Sequence, residues 1–157
     1  MPHLRLEVPE EWLREDFRAS TGFDARKLLD TLVEALLNLR MPSPTDPIQM
    51  VPLINKGNLK HAIIPLYYAH TAADPEKRFL HLTLAAGNDV PGRTAAVRTK
   101  AAHALGDVID KFCDHIPGLG SVTVWMQDID RERGYSTTAE RKKRRDVSAS
   151  SSPSASQ

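Results

Sequence analysis

Pro2 follows Met1 directly and opens an alternating stretch, His3-Leu4-Arg5-Leu6-Glu7-Val8. Aminopeptidases remove an initiator methionine that precedes a small residue such as proline. The chain would then begin with a secondary amine anchored on a β-strand. Such a nitrogen is a general base when its surroundings bring its pKa toward working pH, where proton transfer is most efficient. Proline is common at position 2, so the case rests on what accompanies it.

The elements that must hold that amine are legible from hydrophobic periodicity. Leu4, Leu6 and Val8 share one face of a first strand that Pro9 ends. Residues 10–20 read as irregular, with one helical turn around Trp12 and Phe17. A helix is expected from about Phe23 to Arg40. Its stripe is Ala25, Leu28, Leu29, Leu32, Ala35, Leu36 and Leu39, and Thr21 and Asp24 have capping-box-like spacing. Residues 42–57 are proline-rich. Within them Ile48–Ile54 is strand-like but interrupted by Pro52, which suits an edge or a loop. Strands are expected at Leu59–Leu66, Phe79–Ala86 and Ser121–Asp128, with a turn at Thr71–Glu76. The turn-forming run Gly87-Asn88-Asp89-Val90-Pro91-Gly92 precedes a second long helix that starts near Arg93 or Thr94 and reaches Ile116. Gly106 inside that helix costs roughly 1 kcal/mol relative to alanine unless close packing requires it.

This β-α-β, β-α-β order favours parallel pairs with right-handed crossovers. It predicts an α+β fold: a four-stranded main sheet with both long helices on one face. The other face is expected to carry apolar and aromatic residues that association with further subunits would cover.

The 157 residues fit one domain, read as residues 1–135, followed by a disordered basic and Ser-rich tail over 136–157. No apolar run reaches the ~18 residues of a transmembrane helix, and no secretory signal is evident, so a cytoplasmic location and no membrane partner are expected. Cys113 is the only cysteine, which excludes an internal disulfide and a cysteine zinc site. The histidines have no metal-ligand spacing, and no metal or cofactor is expected. Arg141–Arg145 concentrate positive charge in the tail, whereas the body is slightly acidic. Nucleic-acid binding by the body is therefore not expected. Binding through the tail would show steep salt dependence.

Met-Pro-His at the start, a long helix, then His81-Leu82-Thr83-Leu84-Ala85-Ala86-Gly87, Pro91-Gly92-Arg93 and a second long helix resemble 5-carboxymethyl-2-hydroxymuconate isomerase, a branch of the tautomerase superfamily. The resemblance covers roughly residues 1–135. It implies a homotrimer and catalysis by the N-terminal proline without metal or cofactor. Pro2 matches the catalytic proline, and Arg93 matches an arginine that helps bind the anionic substrate. A helix N-terminus offers free N–H groups and positive dipole, and guanidinium adds a fork that matches a carboxylate. The family's arginine on the second main strand aligns with Lys60, or in an alternative alignment with Gln49. Lysine keeps the charge but loses the bidentate geometry. His3 is implied as a residue that supports the site or packs at the trimer contact. Lys60 and Arg93 around Pro2 would disfavour its protonated form. The implied activity is a cofactor-independent 1,3- or 1,5-proton shift in an unsaturated, carboxylate-bearing enol or keto acid, as in homoprotocatechuate breakdown. The alternative is a non-catalytic trimer of the same fold that serves as a binding or scaffold protein.

Overall fold

The computed structural model describes residues 2–71, 73–87 and 90–129. Strand β1 (His3–Pro9) leads through a 3-10 turn (Glu10–Leu13) into α1 (Glu15–Thr21) and α2 (Ala25–Asn38). A two-stranded ribbon follows, β2 (Arg40–Pro42) and β3 (Met50–Pro52), and then a second 3-10 turn (Lys56–Asn58). Strands β4 (Lys60–Leu66), β5 (His70–Thr71) and β6 (Asp74–Gly87), helix α3 (Ala95–Cys113) and strand β7 (Leu119–Ile129) complete the described chain.

The main sheet has the order β4-β1-β6-β7; two-residue β5 adds to the N-terminal part of β6. Pairs β1–β4 and β6–β7 are parallel, whereas β1 and β6 run antiparallel. Both crossover pairs are thus as their order predicts. Leu4, Leu6, Val8, Leu80, Leu82 and Leu84 are buried beneath α2 and α3, with Leu28, Leu32, Leu36, Leu105 and Ile109 from the helices. An aromatic group closes one end of this core. Trp12 stacks on Phe17 at 5.2 Å, and Phe23 meets Trp12, Phe17 and Phe112 edge-on.

Four local expectations change. Residues 10–20 form a 3-10 turn and a full α-helix rather than one turn. The cap of α2 is Asp24, whose carboxylate accepts from the Arg26 and Lys27 amides at 2.9 and 3.2 Å. Thr21 belongs to the preceding helix, where its hydroxyl donates to the Phe17 carbonyl. Strand β6 starts at Asp74, inside the expected turn, because β5 pairs with this extension.

The fourth concerns the open face of the sheet. Register places Lys60, His3, Ala85 and Gln127 in one row across it. Arg5, Thr83 and Trp125 lie in the next row, and Ile64, Glu7, His81 and Thr123 in the third. This face carries the apolar Ala62, Ile64 and Ala85 and the aromatic Trp125, as expected, but interleaved with charged and polar residues. Trp125 is its large exposed ring, edge-on to His81 at 6.3 Å.

Two predictions arise here. The amides of Lys27 and Arg26 and the nearby Arg18 hold the Asp24 carboxyl below the usual aspartate range, against a smaller opposing effect of burial. Asp24→Ala should therefore cost about 1 kcal/mol at neutral pH. A depressed folded-state pKa contributes stability that is present above the unfolded-state value and lost as pH falls through the folded-state value. Urea unfolding should accordingly show the gap between wild type and variant shrinking below about pH 4. Gly106 is not required by packing: an added methyl would meet only Val124 Cγ2, at 3.8 Å. Gly106→Ala should thus stabilise α3 by about 0.5–1 kcal/mol in the same measurement.

Candidate functional site

The start of β1 and the end of β6 are neighbours because the two strands are antiparallel, with His3 opposite Ala85. Gly87 therefore arrives beside Pro2, and Val90 and Arg93 line the same cleft. Parallel β4 is fixed on the other side, where the Lys60 amide donates to the Pro2 carbonyl at 3.1 Å. Alternation along β1 puts Pro2 on the same side of the sheet as Leu4, facing the helices.

There Pro2 lines a cleft of about 470 Å³. Its other walls are Met41 and Val51 of the ribbon, the Pro52–Asn55 segment, Asn58, Gly87, Val90 and Arg93. Met41, Leu53 and Ile54 are buried, and Val51 and Val90 are half-buried. The cleft thus mixes apolar side chains with two carboxamides, one guanidinium and main-chain polar groups.

Arg93 is held firmly. Its Nη1 donates to the Gly87 carbonyl at 3.0 Å and its Nη2 to the Leu53 carbonyl at 2.9 Å. It ties the end of β6 to the segment after the ribbon and fixes a positive charge at the cleft wall. The turn before it depends on Gly92. This residue has φ +83°, and a Cβ there would lie 2.8 Å from the Pro42 carbonyl oxygen. Only glycine combines that conformation with that approach. Thr94 then caps α3 by accepting from the Val97 amide at 3.3 Å.

Of the residues singled out from sequence, Pro2 and Arg93 share the cleft. His3 and Lys60 do not line it. They sit opposite one another on the open face of the sheet, with Lys60 exposed and His3 half-buried. Burial, and next the Lys60 ammonium, push the His3 pKa below the ordinary histidine value. Gln49 lies between β2 and β3, outside the main sheet, so Lys60 is the one on the strand beside β1.

The walls contributed by the ribbon were not anticipated as a site. The signal was present as Met50-Val51 and Leu53-Ile54 flanked by prolines, but it reads equally as a surface loop.

Other chemistry-bearing residues lie elsewhere. Burial pushes the Cys113 thiol up to about 12, so it is not a nucleophile at neutral pH. Among the described residues no group of three or more His, Cys, Asp and Glu could hold a metal ion. Nor is any described helix long and apolar enough to cross a membrane. Residues 136–157, including Arg141–Arg145, lie outside the described residues.

No protein-family model matches the chain, and no curated protein matches it in sequence. Solved structures do match it in fold. A 5-carboxymethyl-2-hydroxymuconate delta-isomerase superposes with a TM-score of 0.62 at 17% identity, covering 88% of this chain and 87% of its own. A 5-carboxymethyl-2-hydroxymuconate isomerase from Deinococcus radiodurans R1 gives 0.60 at 20% identity, covering 87% and 88%. A fused 4-OT symmetric trimer gives 0.54 at 11% identity, covering 83% and 88%. The described chain therefore has the fold of the 5-carboxymethyl-2-hydroxymuconate isomerase and 4-OT structures, with Pro2 and Arg93 on one cleft of that fold.

Proposed function

We propose that this protein is a cytoplasmic, cofactor-independent tautomerase of the 5-carboxymethyl-2-hydroxymuconate isomerase type, working as a homotrimer with Pro2 as its amino terminus. The observation that carries the reading is the meeting of Pro2 and Arg93 in one cleft. The fold likeness supports it, and one solved neighbour is itself a trimer.

In this reading Met1 is removed and the Pro2 nitrogen is the base. It takes the hydroxyl proton of an unsaturated enol acid, or the proton alpha to the carbonyl of the corresponding keto acid. The electron pair delocalises toward the carbonyl oxygen as a dienolate. The Arg93 charge, preset by its two carbonyl partners, stabilises that developing negative charge without reorganising. The Pro2 ammonium then returns the same proton two or four atoms along the conjugated chain, so the step is redox-neutral. The Arg93 charge also disfavours a protonated Pro2, which keeps the base ready near neutral pH. Lys60 and His3 take part if the open face of one subunit reaches the cleft of the next in the trimer.

The test is direct. Purified protein is mixed with a dienol carboxylate, and ketonisation is followed by ultraviolet absorbance. Intact mass establishes whether Met1 is gone, and NMR titration reads the amine. Catalysed ketonisation with a terminal proline titrating well below a free proline amine is the expected result. An inert protein with a processed terminus would favour the scaffold reading. That reading draws on the engagement of both Arg93 terminal nitrogens with main-chain carbonyls.

A further inference from the structure

We infer that the groove on the outer side of the β2–β3 ribbon binds a small amphipathic anion, one negative head on an apolar body; the site is distinct from the Pro2 cleft and does not rest on the tautomerase reading. Strand alternation makes the groove. Met41 and Val51 sit opposite each other in the ribbon and line the Pro2 cleft. The next pair, Pro42 and Met50, points the other way and lines the groove. The facing wall is the start of α3, with Ala96 and Val97. The groove is half-open, and its volume of about 420 Å³ is in the range of small-molecule sites.

Its hydrocarbon is available to a ligand. Pro42, Met50 and Ala96 are exposed, and Leu39 and Val97 are half-buried. Met50 alone is 53% exposed, a large apolar side chain that gains by being covered.

The charges set the sign of the ligand. Arg40 of the ribbon and Lys100 of α3 line the groove, and no carboxylate does. Among the described residues neither cation is paired with a carboxylate. Arg40 Nη1 donates to the Leu37 and Leu39 carbonyls at 2.8 and 3.3 Å, which holds the guanidinium in place at the end of α2. The cleft at the aromatic end of the core is the contrast. Glu15 and Asp24 line it beside Arg18 and Arg26, and Arg18 meets Asp24 at 2.9 Å, so its charges balance from within. In the ribbon groove an anionic head supplies the missing charge, while its body covers Met50, Pro42 and Val97. Ten residues line the groove, too few for a protein partner, which engages roughly 20–30 a side.

The experiment titrates the full-length protein with octanoate, 1-octanol, octyltrimethylammonium and acetate. Affinity is read from saturable NMR shifts of the Met50 and Val97 methyl groups. An exposed ion pair is worth up to about fivefold in affinity, and reversing the head charge turns two attractions into two repulsions. Octanoate should therefore bind at least about tenfold more tightly than octyltrimethylammonium, with 1-octanol between them. Acetate, the head without the body, should not saturate in the same range. Lys100 is exposed. Lys100→Glu should weaken octanoate about fivefold or more, and Lys100→Arg should not. Should Lys100→Glu fail to fold, wild type decides: raising ionic strength from about 0.05 to 0.5 M should weaken octanoate and leave 1-octanol unchanged. Equal binding of the ammonium or the alcohol overturns the inference, as do octanoate shifts confined to Met41 and Val51. Met50 and Val97 shifts that follow protein concentration with no probe present also overturn it, since a second copy would then be the occupant.

Discussion

Pro2→Ala is expected to lower the rate of ketonisation by about 10²- to 10⁴-fold while leaving the melting temperature and the oligomeric state unchanged, since that is the usual contribution of a positioned general base. The two halves of this expectation have different causes. Pro2 precedes β1, and its carbonyl still accepts from the Lys60 amide after the substitution, so the β1–β4 pairing survives. What changes is the nitrogen. Alanine gives a primary amine on a chain free to rotate about φ, whereas the pyrrolidine ring fixes φ and aims the nitrogen relative to the cleft. Rate measured against pH separates the terms. A merely misaimed amine lowers the plateau and leaves the midpoint of the rising limb in place. An amine of altered basicity moves that midpoint. A variant with wild-type turnover would end the proposal that Pro2 is the base.

The site was half legible in the sequence for a reason that lies in strand register. Pro2 and Arg93 are far apart along the chain, yet each adjoins an element with strong periodicity. Leu4-Leu6-Val8 and Leu80-Leu82-Leu84 both had to face the helices, and antiparallel pairing then brings the start of β1 to the end of β6. Arg93, six residues past the end of β6, is then brought to the cleft by its bonds to the Gly87 and Leu53 carbonyls. Alternation along β1 sends His3 to the opposite face, because odd and even positions of a strand cannot share a side.

The ribbon was less legible. Arg40–Pro42 and Met50–Pro52 are three-residue strands, too short for periodicity to register, and their prolines argue for a loop as strongly as for an edge. Their pairing is a tertiary outcome, set by the close approach of Gly92 to the Pro42 carbonyl and by the Arg93 link to Leu53. The polar share of the open face is also a matter of register: in β4, Ile63 goes to the core, and Lys60, Ala62 and Ile64 lie on the other side.

Arg93→Ala is expected to destabilise the fold by about 2–3 kcal/mol and also to weaken catalysis, because one side chain serves both ends. Hydrogen bonds from a charged donor are each worth about 1.5–3 kcal/mol, and removing this donor strands the carbonyls of two buried residues, Gly87 and Leu53. Arg93→Lys separates the roles. Lysine keeps the charge but cannot span both carbonyls with a rigid fork. Its stability by urea unfolding should fall nearly as far as that of the alanine variant. The pH dependence should not follow it. If the charge beside Pro2 disfavours the protonated amine, its loss in Arg93→Ala raises the amine pKa, and the rising limb of the rate profile moves to higher pH. Arg93→Lys retains the charge, so its rising limb should stay near the wild-type position even as the plateau drops. A purely structural tether would lower both plateaus with the stability and move neither limb. A purely substrate-binding arginine would raise KM in both variants with stability unchanged. With both terminal nitrogens bonded to the backbone and the guanidinium lining the cleft with Pro2, the expected result is the mixed outcome: lost stability in both variants, a displaced pH profile in one.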